Sequence, residues 1–300
     1  MAKRTPDGPP PEPVVARIRL RYARRGRLRF TSHRDFARAF ERALRRAGVP
    51  MALSAGFSPH PRISYVGAAP TGMASEAEYV EIALTERLDA ETVRAAVDAS
   101  LPPGLDVVDA VVARGGSLPD RIDASVWQIR LPGLEVDAVA AAVVTLLAAE
   151  SVPVQRLTKE GRRTVDARAA IVSATARVDD LPDQPCAILD VVVRHVTPAV
   201  RPDDILTALR TVADLVPPVP PLATRLAQGL LAEDGQISDP LAPDRERIPL
   251  GSGEPLTIRR QRPVIPAGGG IRDFGGGRPA CLRTTASPAP ERTRRTRPGA

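Results

Sequence analysis

Residues 17–48 read RIRLRYARRGRLRFTSHRDFARAFERALRRAG, and the change of period inside them decides the kind of fold to expect. From Arg17 to Tyr22 basic and apolar residues alternate, which is the two-residue period of a strand with one buried face. Gly26 marks a turn. From Ser32 the period lengthens: Phe36, Phe40, Ala43, Leu44 and Ala47 fall on one side of a helix, and Arg34, Arg38, Arg42, Arg45 and Arg46 on the other. Ser32 is a good N-cap with Asp35 three residues on, a capping-box arrangement, and Gly48 and Pro50 mark the stop. A strand therefore runs straight into an amphipathic helix that docks on it.

Outward from there, residues 63–68 and 79–84 alternate as strands, residues 90–100 have helical spacing, and residues 105–113 read as another strand. The order strand, helix, strand, strand, helix, strand is then nearly repeated. Residues 126–131 are strand-like, residues 136–150 form an alanine-rich helix, and residues 152–157 and 163–178 look extended. Residues 187–195 form an apolar strand, and residues 203–212 a helix opened by Arg201, Pro202 and Asp203; a last strand is not obvious. The expectation is an α+β chain of tandem ferredoxin-like two-layer sandwiches, over residues 15–115 and 122–230. Residues 1–14 and the Gly-, Pro- and Arg-rich residues 233–300 are expected to be disordered, the latter as a basic tail.

Composition bounds the function. The chain has 300 residues, 43% of them hydrophobic, only 3% aromatic, and a formal charge of +7, with a sequence pI of about 10.3. Residues 1–14 carry no apolar leader segment, and no stretch approaches the ~18 apolar residues of a membrane span, so a soluble cytoplasmic protein with no membrane partner is expected. Cys186 and Cys281 stand far apart, which argues against a disulfide framework or a cysteine metal site. The basic balance fits an anionic, phosphate-rich partner, and equally a bias toward Arg in composition.

The guanidinium row of the first helix, Arg38, Arg42, Arg45 and Arg46 with Arg34, has two readings: a solvated helix face, or a clamp for phosphates, since each Arg presents a planar fork matched to oxyanions. Glu41 stands near the row and pairs with Arg45 at the i,i+4 spacing in the first reading. The basic strand and turn before the helix favour the second. A second feature is GFSPHPR, residues 56–62. Pro59 and Pro61 fix φ on both sides of His60, and Gly56 admits a tight turn, so a stiff loop holds His60 and Arg62 at the mouth of a strand. A joint site of His33, His60, Arg62 and Glu78 is one reading, and a plain turn before a strand is the other. A metal site built on His33, Asp35 and His60 lacks any further His/Cys cluster, so neither metal nor cofactor is expected.

Taken together, RFTSHRDFARAFERALRRAGVP, LSAGFSPHPRISYVGAAPTGMASEAEYVEI and LPPGLDVVDA resemble the radical-S-adenosylmethionine-associated family of unknown function. Its members stand alone or form the C-terminal part of larger radical S-adenosylmethionine (radical SAM) proteins. The resemblance is dense over residues 17–112 and weaker over 124–230, through TKEGRRTVDAR and VRPDDILTALR. The family pattern falls on Ser32, His33, Asp35, Glu41, Arg42, Arg46, Ser54, Gly56, Phe57, His60, Pro61, Arg62, Ser64, Gly72, Ser75 and Glu78. Arg34 and Ser58 depart from it, standing where relatives have an apolar residue and Asn. The resemblance implies an accessory part that holds RNA or another phosphate-bearing substrate, and a radical SAM protein as partner. The chain lacks the three closely spaced cysteines an iron–sulfur cluster needs, so it cannot perform radical chemistry unaided.

The expected function is thus a binding module. Arg38, Arg42, Arg45, Arg46, His60 and Arg62 are its candidate anion- or RNA-binding residues, and Ser32, His33, Asp35, Ser64, Ser75 and Glu78 are motif residues of the same site. The alternatives are a protein that docks on a radical SAM enzyme, and an enzyme acting on RNA with His33 or His60 as base beside Asp35 or Glu78.

Overall fold

The computed structural model describes residues 11–158, 161–179 and 186–245. The disorder expected of residues 1–10 and 246–300, and Cys281 with it, lies outside these residues.

The first half is β1 (Ala16–Arg24), α1 (His33–Arg46), β2 (Ile63–Val66), β3 (Ala74–Leu84), α2 (Ala90–Asp98) and β4 (Leu105–Val112). β1 sits between β4 and β3, and β2 lies on the far side of β3, all antiparallel. The alternation of β1 sorts its side chains cleanly. Ile18, Leu20 and Tyr22 join Val80, Ile82 and Leu84 of β3 beneath Phe36, Phe40, Ala43 and Leu44 of α1, in one buried core. Tyr22 stacks on Phe36 with ring centroids 4.4 Å apart. The Ser32 hydroxyl accepts from the Asp35 N–H at 3.2 Å and donates to the Asp35 carboxylate at 2.7 Å, which closes the first turn of α1.

The second half repeats the order with one insertion. It comprises β5 (Ala124–Pro132), α3 (Val136–Ala148), the hairpin β6 (Pro153–Thr158) and β7 (Gly161–Asp166), the short α4 (Ala167–Ala170), β8 (Ile171–Val178), β9 (Cys186–Arg194), α5 (Pro202–Ala213) and β10 (Leu222–Gly229). Its strands lie in the order β10-β5-β9-β8, matching β4-β1-β3-β2, so each half is a ferredoxin-like α+β sandwich. Trp127, Ile129 and Leu131 of β5 and Leu189, Val191 and Val193 of β9 form its core with α3 and α5.

The halves share one sheet. β10 continues it along the start of β3, in parallel, through Thr224↔Ala74 and Arg225↔Ser75, while β2 holds the same edge of β3 from Tyr79 to Ile82. β10 is the strand that periodicity misses.

The stretch 233–245 departs from expectation. It folds back on the first half, on the face of the sheet away from α1. Leu241 is fully buried among Val66, Ala77, Tyr79, Val111 and Leu118, and Asp244 is buried against Arg19 and Arg121. Leu241 and Asp244 anchor it, with Arg245 paired to Asp109 and Arg121 donating to the Pro240 carbonyl, so the folded chain continues a dozen residues beyond the boundary read at residue 233. Gly229 permits the reversal: a Cβ there would stand 1.7 Å from the Ser238 carbonyl oxygen. Among the described residues no helix is long and apolar enough to cross a membrane.

Candidate functional site

On α1, the four residues Arg34, Arg38, Arg42 and Arg45 are all exposed. Within an 80° arc they face away from the Phe36–Phe40 core. None of the four has a carboxylate partner among the described residues. The expected Glu41–Arg45 pair does not form: Glu41 is half-buried and stands near Tyr65, whose phenol is pushed up first by burial and then by the Glu41 charge. Arg46, the last of the predicted row, donates instead to the Ser100 carbonyl. Arg34, Arg38 and Arg42 climb the helix in steps of about 6 Å. The chain's two lysines, Lys3 and Lys159, lie outside the described residues, so the cations of this surface are guanidinium forks rather than point charges.

The arginines of β1 and its turn meet a different fate. Arg19 pairs with Glu81, directly across the β1–β3 ladder, at 2.8 Å, and Arg17 reaches the same carboxylate diagonally at 3.1 Å. Arg19 is 2% exposed and also donates to Asp244 at 2.7 Å and to the Gly115 and Gly116 carbonyls. Arg24 donates to the Ala69, Pro70 and Met73 carbonyls, and Arg25 holds Glu76 and Asp106. The basic strand therefore does not extend the guanidinium row of α1, because Arg17 and Arg19 are ion-paired within the fold and Arg24 is buried against backbone carbonyls. Arg27 is exposed, and the Arg29 guanidinium lies 4.6 Å over the ring of Phe30.

The other motif residues scatter over four places. Ser32 and Asp35 cap α1, and exposed His33 sets its ring edge-on to Tyr65 at 4.9 Å. His60 stands exposed on the loop of residues 53–61, which follows α1 in the chain, and exposed Arg62 directly precedes β2. The legs of the loop are joined by the Ser54 N–H donating to the His60 carbonyl at 2.8 Å, and by the His60 N–H donating to the Ser54 hydroxyl at 3.1 Å. Ser64 pairs with Glu81 on the other face of the sheet, where the two line a pocket of about 720 Å³ with Arg17, Arg19, Ala113 and residues 115–119. Ser75 and Glu78 are buried at the seam between the halves.

The joint site of His33, His60, Arg62 and Glu78 is accordingly not assembled. Ile63, next to Arg62, pairs with Ile82, four positions and about 13 Å along β3 from Glu78. Both oxygens of Glu78 are engaged: one accepts from the Ala69 N–H at 3.1 Å and the other from Arg225. Neither His33 nor His60 has a carboxylate partner among the described residues, nor do three or more His, Cys, Asp or Glu side chains converge there as metal ligands.

Two groupings escape sequence reading. Around the Glu78–Arg225 pair, Arg225 also donates to Ser75 and lies over Trp127, and Gln228 donates to the Ala77 carbonyl. Farther along, Ser125 and the His195 Nε2 are 2.7 Å apart. Ser125 is buried on the sheet and so is presented to no substrate. Burial first, and then the Arg225 charge, hold the His195 imidazole below its usual value against the pull of Asp123. A histidine whose folded value is lowered contributes fully above the unfolded value near ~6.5, and that contribution is lost as pH falls through the folded value. In an NMR titration, the His195 ring signals are expected to shift with a midpoint below the ~6.5 of an unstructured histidine; a midpoint at or above that value would contradict this.

A family model described as "Uncharacterized protein conserved in bacteria (DUF2344)" matches residues 17–202. No curated protein matches. Similar solved structures include an unknown protein from Galdieria sulphuraria, 13% identical, covering 70% of this chain and 98% of that one, with a TM-score of 0.21. Another is a variant of DypB from Rhodococcus jostii RHA1 in complex with heme, 11% identical, covering 72% and 92%, with a TM-score of 0.18.

Proposed function

The chain belongs to this family of uncharacterised bacterial proteins, and since the membership carries no activity, we propose from its surface that it is a binding module for RNA. The observation behind this is the contrast between two sets of arginines. Arg17 and Arg19 of β1 are ion-paired within the fold, whereas Arg34, Arg38, Arg42 and Arg45 stand exposed with no carboxylate partner among the described residues. Four unpaired guanidiniums on a helix backed by a rigid aromatic core form a preorganised surface for phosphate oxygens.

Binding through phosphates releases counterions, so affinity falls steeply with salt. For the full chain and transfer or ribosomal RNA, filter binding from about 50 to about 300 mM salt is expected to give a log–log slope near −3, the value for about four contacts to a single strand. Replacing Arg34, Arg38, Arg42 and Arg45 by Gln should flatten that slope and weaken binding roughly 100-fold at the lowest salt. Binding that is absent, or indifferent to salt, overturns the proposal. The sequence resemblance offers a radical SAM protein as a second partner; its recovery with the full chain after nuclease treatment would favour protein docking over RNA.

A further inference from the structure

We infer that the RNA held by this surface is single-stranded, with bases stacked on Phe30 and Phe57 at the two ends of α1. The inference rests on the RNA reading above and narrows it. The chain holds only five Phe, one Trp and three Tyr, and Trp127, Phe36, Phe40, Tyr22 and Tyr79 are buried. In a chain so short of aromatic rings, Phe30 is nonetheless 59% exposed and Phe57 76% exposed.

Both rings stand on segments that adjoin α1 in the chain, Phe30 before its N-cap and Phe57 on the loop after its C-terminus. Phe30 lies two residues before the N-cap Ser32, on a short 3-10 turn. One side of its ring is met by the Arg29 guanidinium, and its edge approaches Gly72, where a Cβ would come within 3.8 Å. Gly72 has φ +95 and its N–H donates to the Arg29 carbonyl at 2.8 Å, so the chain around the ring is tied down. Phe57 rides on the loop of residues 53–61 that follows the C-terminus of α1, between the Ser54–His60 hydrogen bonds. His60 is exposed on the same loop.

Between the two rings runs a helix of 14 residues, about 20 Å long, carrying forks at every turn. A polyanion without bases would use the forks and leave the rings idle. A duplex would do the same, because its bases are stacked and paired on one another. A single strand uses both, with phosphates on the forks and unstacked bases on the rings, and stacking of this kind tolerates any base. A span of ~20 Å suits a handful of nucleotides, the low end of the roughly 4–16 that compact single-strand binders cover.

The test compares three probes on the full chain: an RNA oligonucleotide of about ten nucleotides, a blunt RNA duplex of the same length, and inorganic polyphosphate. Replacing Phe30 and Phe57 together by Ala is expected to weaken the oligonucleotide roughly tenfold or more per ring, with the salt slope unchanged because no charge is lost. Duplex and polyphosphate should be unaffected, and Phe57→Tyr, which keeps a stacking face, should bind like the parent. Circular dichroism of each variant checks that α1 is intact. If the oligonucleotide binds with steep salt dependence and the Phe variants bind it equally well, the single-strand inference falls while the phosphate reading stands. Equal weakening toward all three probes also overturns the inference. If no probe binds, the reading it rests on falls, and the inference with it.

Discussion

Replacing Glu78 with alanine is expected to destabilise the fold by about 3–5 kcal/mol, the usual result of stranding a buried charge. Glu78 is 1% exposed. Its carboxylate is the partner of Arg225, itself buried between Ser75 and the face of Trp127, and Arg24 adds a second buried cation close by. Without Glu78 two guanidiniums would share a water-poor seam with no counter-charge, and the Ala69 N–H would lose its acceptor. For a folded unit of this size the loss corresponds to a fall of about 10 °C in Tm. Trp127 is the chain's single tryptophan and lies at the seam, so its fluorescence in a urea titration reports the change directly. Replacing the pair together, Glu78→Leu with Arg225→Met, should recover most of the loss, since isosteric apolar pairs often substitute for a buried ion pair. A loss below about 1 kcal/mol for Glu78→Ala, the range of exposed pairs, would mean that water reaches the seam.

Asp244→Ala should be comparably damaging, and its effect carries a pH signature. The Asp244 carboxylate accepts from Arg19 at 2.7 Å, from Arg121 at 2.7 Å and from the Arg114 N–H at 2.9 Å, with its side chain fully out of water. Burial pushes this carboxyl up, but the hydrogen bonds from Arg121, the Arg114 N–H and Arg19 outweigh it and leave the group below its ordinary value. A carboxylate lowered on folding contributes fully above its unfolded value, near ~3.9, and that contribution is lost as pH falls through the folded value. Asp244→Ala is therefore expected to lower stability by about 3–5 kcal/mol at neutral pH and to release residues 239–245, making that segment sensitive to protease. Asp244→Asn should show a shallower decline of urea midpoint between about pH 5 and pH 2 than the parent, because its proton-linked contribution is gone. Parallel declines would contradict this assignment.

Whether an arginine is free or internally neutralised depends on what stands across from it, and that explains how much could be read in advance. The row on α1 was legible because helical periodicity alone puts Arg34, Arg38, Arg42 and Arg45 opposite Phe36 and Phe40. The strand arginines look the same in sequence, but their fate is set by register: Glu81 faces Arg19 only once β1 and β3 pair, and Asp244 comes from 225 residues away. β10 was invisible for a related reason. Its buried positions include Arg225 and Gln228, while Leu222 and Leu226 are exposed, so its pattern inverts the one by which strands are recognised. Ser75 and Glu78 look reactive beside their motif, yet the seam engages them with partners nearly 150 positions downstream.

The placement of β10 bears on how the polypeptide is made. It is the last described strand in the chain, yet it lies in the middle of the sheet, between β3 and β5. While a ribosome is still extending the chain, the first six-element sandwich can close, but the start of β3 and the whole of β5 wait with bare backbone edges until residues 222–229 emerge. Unsatisfied edges of that kind recruit other chains. Nascent or prematurely terminated products ending before residue 222 should thus be the species that aggregate, and the ones a chaperone would have to shield.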